Sequence, residues 1–144
     1  GDYSKINIEC PAFHRFENLS QGLLWKKSMR MINRSAAVIK PKKPLWDWVK
    51  SIEPDTVIDW EDMEDTSVYL LPDVEHLLNE DVEIEDYIKR IYRQIFENEL
   101  ESWYLDKSLW PADRTFELFQ QWFEFEIHTM LFDTVQGAIK KELV

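Results

Sequence analysis

The sequence predicts an α+β fold: a small, mainly antiparallel sheet of about three strands, packed on one face by a long amphipathic helix and shorter helices. Three observations carry that expectation. Apolar residues recur at three and four between Val82 and Tyr104, the spacing that gathers them on one face of a helix. Short apolar or alternating runs stand at 36–39, 68–71 and 124–132, each bounded by a breaker or a change of period. No repeat of roughly 20–50 residues, heptad ladder or low-complexity tract is visible, which removes solenoids and coiled coils.

Taken in chain order, Asp2 to Ser28 has no sustained period, and Met29 and Met31 precede the first domain-like pattern. Residues 1–30 are therefore read as an N-terminal extension and 31–144 as a single globular domain. Ala36, Ala37, Val38 and Ile39, closed by Pro41 and Pro44, make a buried strand ending in a loop. Pro44 then suits a first helical turn. Leu45, Trp46, Trp48, Val49 and Ile52 follow at helical spacing until Pro54 forbids continuation. Residues 53–65 form an acidic connection around Val57, Ile58, Trp60 and Met63.

Val68, Tyr69, Leu70 and Leu71 ahead of Pro72 give the second strand, and a loop or short helical turn surrounds His76 and Leu77. In the long helix, Ile84, Tyr87, Ile88, Ile91, Ile95, Phe96, Leu100 and Trp103 form the stripe. Asn79 or Asp81 is expected to cap it, and Glu83, Glu85 and Asp86 suit the positive end of its dipole. A shorter helix runs from Asp113 to about Trp122, with Asp113 or Thr115 near its cap. From Phe123 the period changes to two, predicting a third strand over 124–132. Continued helix is the competing expectation, since Phe119, Trp122, Phe123, Glu126 and Ile127 also fit a helical count. Residues 133–144 are expected to be a frayed tail or a short terminal helix.

Composition narrows the function classes. Seven Trp, five Tyr and eight Phe in 144 residues make the core unusually aromatic. Cys10 is the lone cysteine, so the chain forms no internal disulfide and no cysteine-based zinc site. It fits a reducing, cytoplasmic setting. No apolar run is long enough to span a membrane. The net charge of −11 opposes sequence-independent nucleic-acid binding. That charge is uneven: residues 1–50 carry ten Lys/Arg against four Asp/Glu, and residues 51–144 carry seven against twenty-four. Two solvated faces of one monomer account for this asymmetry, and the alternative is a basic protein partner or self-association through it.

Chemical motifs are few. Gly1, Gly22 and Gly137 are the only glycines and none separates a strand from a helix, so no phosphate-cradling loop exists and no cofactor is expected. No serine stands at a strand-to-helix elbow. Glu124, Glu126 and His128 would project from one face of the third strand, two carboxylates and an imidazole able to hold a divalent metal or share acid–base work. Alternating polar positions on a sheet's solvent face account for the same pattern. Trp46 and Trp48 among Lys40, Lys42, Lys43 and Lys50 mix aromatic and basic residues as single-strand binders do, but residues two apart on a helix do not share a face. One indole is expected in the core and the other at the surface.

Several segments together, Asn33-Arg-Ser-Ala-Ala-Val-Ile, Glu101-Ser-Trp-Tyr, Leu109-Trp-Pro-Ala-Asp-Arg-Thr-Phe, Trp122-Phe-Glu-Phe-Glu-Ile-His and Leu131-Phe-Asp, resemble a family of short bacterial proteins of unknown function. The likeness spans roughly residues 31–133. It implies a bacterial, cytoplasmic setting and leaves residues 1–30 outside the family unit. No activity, cofactor or catalytic residue comes with it. The functional expectation is a non-enzymatic protein-interaction module using its acidic surface. The alternative is a metal-dependent or carboxylate-assisted enzyme using Glu124, Glu126 and His128.

Overall fold

The computed structural model describes residues 29–57, 59 and 65–144. The expected extension lies outside them except for its last two residues, and so do Ile58, Trp60 and Met63 of the acidic connection. The chain forms β1 (Arg30–Met31), β2 (Arg34–Pro41), α1 (Lys43–Ile52), β3 (Ser67–Pro72), α2 (Val74–Asn79), α3 (Ile84–Trp103), a 3-10 turn (Lys107–Leu109), α4 (Phe116–Trp122), β4 (Phe123–His128) and β5 (Phe132–Asp133). The fold is α+β, with an antiparallel three-stranded sheet of order β3-β2-β4 and a separate β1-β5 ladder.

β2 is the central strand because it is apolar on both faces. Ala37 and Ile39 point into the core, while Ala36, on the opposite face, is also buried between the two flanking strands. The two ladders are nearly continuous. Between the Ile32 to Leu131 hydrogen bond (2.9 Å) and the Ala36–His128 pair, three residues on one strand face two on the other. This one-residue excess is a bulge, and it separates the short ladder from the main sheet.

The helices lie on the sheet's inner face. Leu45 of α1, Ile88, Ile95, Phe96 and Leu100 of α3, and Phe119 of α4 share one core with Ala37, Ile39, Leu71 and Phe123. Phe96 is the centre of this packing, with ring centroids 5.8 Å from Phe119, 5.7 Å from Trp122 and 5.6 Å from Phe123. α4 passes into β4 without a loop, since Phe123 is both the residue that closes the helix and the first of the strand. Two bonds pin this junction to the start of α1: the Lys42 amide donates to Trp122 O (2.8 Å) and Lys42 Nζ to Gln120 O (2.8 Å).

Local chemistry explains the boundaries. α1 begins with proline in its first turn and stops before Pro54. Asp73 accepts a hydrogen bond from the His76 amide and starts α2; Thr115 accepts from the Leu118 amide and starts α4. The expected cap of α3 is corrected. Asn79 closes α2, Asp81 makes a left-handed turn at φ 56°, and Glu83 occupies the cap position without a side-chain bond. Short polar side chains tolerate that backbone region, so Asp81 turns the chain rather than capping the helix. The period-two reading of β4 holds, and residues 134–144 contain no helix.

Trp48 corrects the surface expectation for one indole. Trp46 is buried edge-on against Trp103 (5.2 Å), and Trp48 is also committed to packing: it meets Tyr104 edge-on (5.3 Å) and donates from Nε1 to Leu109 O (2.9 Å). Among the described residues, no helix is long and apolar enough to cross a membrane.

Ile88 is fully buried and Ile91 only half-buried on the same helix. Chemical denaturation should therefore show Ile88→Ala losing about 2–5 kcal/mol and Ile91→Ala distinctly less. Equal losses would mean that α3 is rotated about its axis from the position described.

Candidate functional site

Strand alternation divides the sheet residues between two faces. Ala37, Ile39, Leu71, Phe123, Phe125 and Ile127 face the helices, which leaves Val38, Lys40, Val68, Leu70, Glu124, Glu126 and His128 on the outer face. Val68 is 60% and Leu70 50% exposed. Here the sequence-predicted trio takes its place. Glu124 stands opposite Lys40, Glu126 opposite Val38 and His128 opposite Ala36. The structure brings two of the three together, with His128 Nε2 3.3 Å from Glu126 Oε2. Glu124 stays beside a lysine instead. Among the described residues no three His, Cys, Asp or Glu side chains converge as a metal-binding group.

The most unusual chemistry lies on the inner face, at the end of the sheet where β2 finishes and β3 and β4 begin. Glu99 is four residues beyond Ile95 and three beyond Phe96, so it continues the apolar stripe of α3 and is carried into the interior. Only 7% of it is exposed. Ser67 Oγ donates to Glu99 Oε2 at 3.3 Å, while Oε1 is buried without a hydrogen-bond partner. Both oxygens of a carboxylate normally accept bonds, so this is an uncompensated polar group in the core.

Around Glu99 is a cavity of about 330 Å³. Its polar wall comes from Asp65 and Ser67 on the β3 side and from Asn98, Glu99 and Ser102 of α3; Pro41, Trp103 and Phe123 form the apolar wall. Most donors of the polar wall are engaged. Ser102 Oγ donates to Glu99 O (2.6 Å), and one N–H of Asn98 Nδ2 donates to the Tyr69 hydroxyl (2.8 Å). Apart from the second Asn98 N–H, the remaining capacity is acceptor capacity: Glu99 Oε1, the Asp65 carboxylate and the Asn98 amide oxygen.

Burial pushes the Glu99 carboxyl above its ordinary range. Ser67 opposes that rise and the nearby Asp65 charge adds to it, while the Tyr69 hydroxyl draws the carboxyl slightly down without reaching hydrogen-bond geometry at Oε1. Burial likewise raises Tyr69 to about 12, against the Asn98 amide and with the Glu99 charge. A carboxyl shifted by desolvation inside a cleft is a candidate for binding or proton exchange. Sequence reading passed over Glu99, although one signal was present: a charged residue on the apolar side of the most periodic segment.

A second feature is the acidic exterior. Of the twelve Asp and Glu side chains in residues 65–106, nine are exposed, two are half-buried and Glu99 is buried. Within the same span the exposed cations are Lys89, Arg90 and Arg93. His76 lies 3.4 Å from Glu80, and Arg93 and Arg114 lie 3.6 and 3.2 Å from Glu97.

No family model matches this chain, and neither a curated protein nor a solved structure does.

Two measurements test these assignments. A carboxyl raised in the folded state makes that state bind the extra proton, so its contribution is full below the ordinary glutamate range and is lost as pH rises through the shifted value. Glu99→Gln should accordingly melt higher than the parent at pH 7–8, with the difference closing below about pH 4. On the outer face, His128→Ala should change unfolding free energy by less than about 1 kcal/mol, because an exposed imidazole–carboxylate pair contributes little. A larger loss would place His128 in the core.

Proposed function

We propose that this domain is a non-enzymatic protein-interaction module, cytoplasmic, that recognises a positively charged partner. The observation that carries the reading is the acidic exterior of residues 65–106, where nine carboxylates are exposed against three exposed cations, Lys89, Arg90 and Arg93. A strong excess of negative charge over a continuous segment produces a field that gathers oppositely charged partners and speeds their encounter. Lys89, Arg90 and Arg93 lie within this span, while Lys40, Lys42, Lys43 and Lys50 are exposed near α1. A second copy of the chain, presenting that basic region, belongs to the same class of partner.

Solubility alone is served by scattered charge of either sign, whereas a single-sign field specifically favours a basic ligand. The lone Cys10 and the absence of a charged, glycine-rich phosphate loop support the same reading.

Titration of a basic peptide such as oligolysine, followed by calorimetry from 20 to 300 mM salt, tests the proposal. Binding should weaken steadily as the screening length shrinks to about 8 Å at physiological salt. Glu75, Glu83 and Glu101 are exposed, and their side chains make no hydrogen bond or ion pair among the described residues. Changing all three to Gln should weaken low-salt binding about tenfold without lowering the melting temperature. Binding unaffected by salt, or no binding together with a monomer at low salt, overturns the reading.

A further inference from the structure

We propose that the Glu99 cavity is a binding site for an alkyl cation, a primary ammonium or guanidinium on a short aliphatic stem. This deepens the preceding reading and rests on it only for the sign of the partner's charge; the cavity itself supplies the rest of the argument.

The first observation is the unmatched acceptor. Glu99 is more than nine-tenths buried, and Oε1 has no hydrogen-bond partner. Rotation about the last side-chain torsion of a glutamate is soft and roughly two-fold, so either oxygen can be turned to a group in the cavity. Leaving such an oxygen unpaired costs stability, and a natural sequence keeps it where something else satisfies it.

The second is the sign of the missing partner. With Ser102 Oγ and one N–H of Asn98 Nδ2 already donating to Glu99 O and the Tyr69 hydroxyl, the polar wall presents mainly acceptors, Glu99, Asp65 and the Asn98 oxygen, against a single remaining Asn98 N–H. A ligand with several donors fits this wall, and one made of acceptors, such as a phosphate or carboxylate, meets two negative groups. Ammonium carries three donors and guanidinium five.

The third is the opposite wall. Pro41, Trp103 and Phe123 offer an apolar surface for a methylene stem, and aromatic faces attract a cation. The Trp103 indole is fixed by its edge-on contact with Trp46 at 5.2 Å. A cavity of about 330 Å³ admits one such chain and its head group.

Every element around Glu99 bears on its charge. β3 supplies Ser67 and Tyr69, Asp65 precedes that strand, and α3 supplies Asn98 and Ser102; Pro41 of β2 and Phe123 of β4 bring no charge. No cation therefore faces Glu99 from these elements. A bound ammonium would favour the ionised carboxylate, so binding would release a proton from Glu99 and strengthen as pH rises.

The experiment is an NMR titration of the full chain with n-butylammonium, n-butylguanidinium and the neutral n-butanol, read at the Trp103 indole N–H and the Ser67 and Ser102 amides. Either cation should give saturable shifts at these three residues, with n-butanol at least tenfold weaker. Glu99→Gln should weaken the cations at least tenfold, and Asp65→Asn, an exposed position, should weaken them severalfold. Glu117→Gln, an exposed carboxylate of α4 outside the cavity, should leave them unchanged. Equal binding of alcohol and cations, or cation binding unaffected by both Glu99→Gln and Asp65→Asn, overturns the proposal. A capped lysine peptide that shifts the same residues identifies a partner's side chain as the source, whereas shifts with free cations alone identify a small amine; both outcomes sustain the cation site. Oligolysine that binds with salt dependence while the free cations and the lysine peptide leave these residues unmoved sinks the cavity proposal and leaves the surface reading standing. The reverse pattern sinks the surface reading alone.

Discussion

The packing of Phe96 against Phe119 and Phe123 is the contact on which the rest of the structure depends. Its three rings come from α3, α4 and β4, and all three residues are fully buried. Centroid separations of 5.4–5.8 Å fall within the range where aromatic pairs add about 0.5–1.5 kcal/mol beyond the area they bury. Phe119 and Phe123 lie on either side of a helix-to-strand change made without a loop, so the same cluster also sets where β4 starts. Lys42 then ties that junction to the end of β2, which holds the sheet and the helices in one layer arrangement.

The site follows from this arrangement. Once Phe96 is seated over Phe123, the helical repeat places Glu99 one turn further along the same face, above the end of the sheet. There the chain departs from the core toward α1 and the apolar filling becomes incomplete. The resulting space has an aromatic wall on one side and carboxylates on the other, and Ser67 compensates one oxygen of Glu99 while the second stays unmatched. A buried carboxylate without a cation is costly, and binding a positively charged group is a direct way to offset that cost. The acidic exterior and the cavity thus favour the same sign of ligand, one by long-range field and the other by contact.

Much of the fold was legible because its signals are local. The stripe of α3 and the short runs of β2 and β3 depend on spacing within a single segment, and prolines mark the ends of β2 (Pro41) and β3 (Pro72) and the limits of α1 (Pro44 and Pro54). Where two neighbouring signals compete, spacing is a poor guide. Asn79 and Asp81 have the chemistry of helix caps, yet one ends α2 and the other makes a left-handed turn. Residues 119–127 satisfy both periods over the same stretch, and only pairing with β2 distinguishes them. Trp48 looked suited to the surface because it lies two residues from Trp46, but Tyr104, Trp122 and the Leu109 carbonyl close over it from distant parts of the chain.

Charge and period were decided by the sequence alone: the class of fold, the aromatic nature of the core, and the acidic bias of its second part are properties of residue order and composition. Convergence was decided by the tertiary structure. Glu124, Glu126 and His128 are close in sequence, yet the outer face separates Glu124 beside Lys40 from the Glu126–His128 pair. Asp65, Ser67, Glu99, Trp103 and Phe123 are far apart in sequence and line one cavity. The physical reason is that periodicity reports which residues share a face of one element, whereas a cavity is made by the faces of several elements, whose alignment is set by core packing.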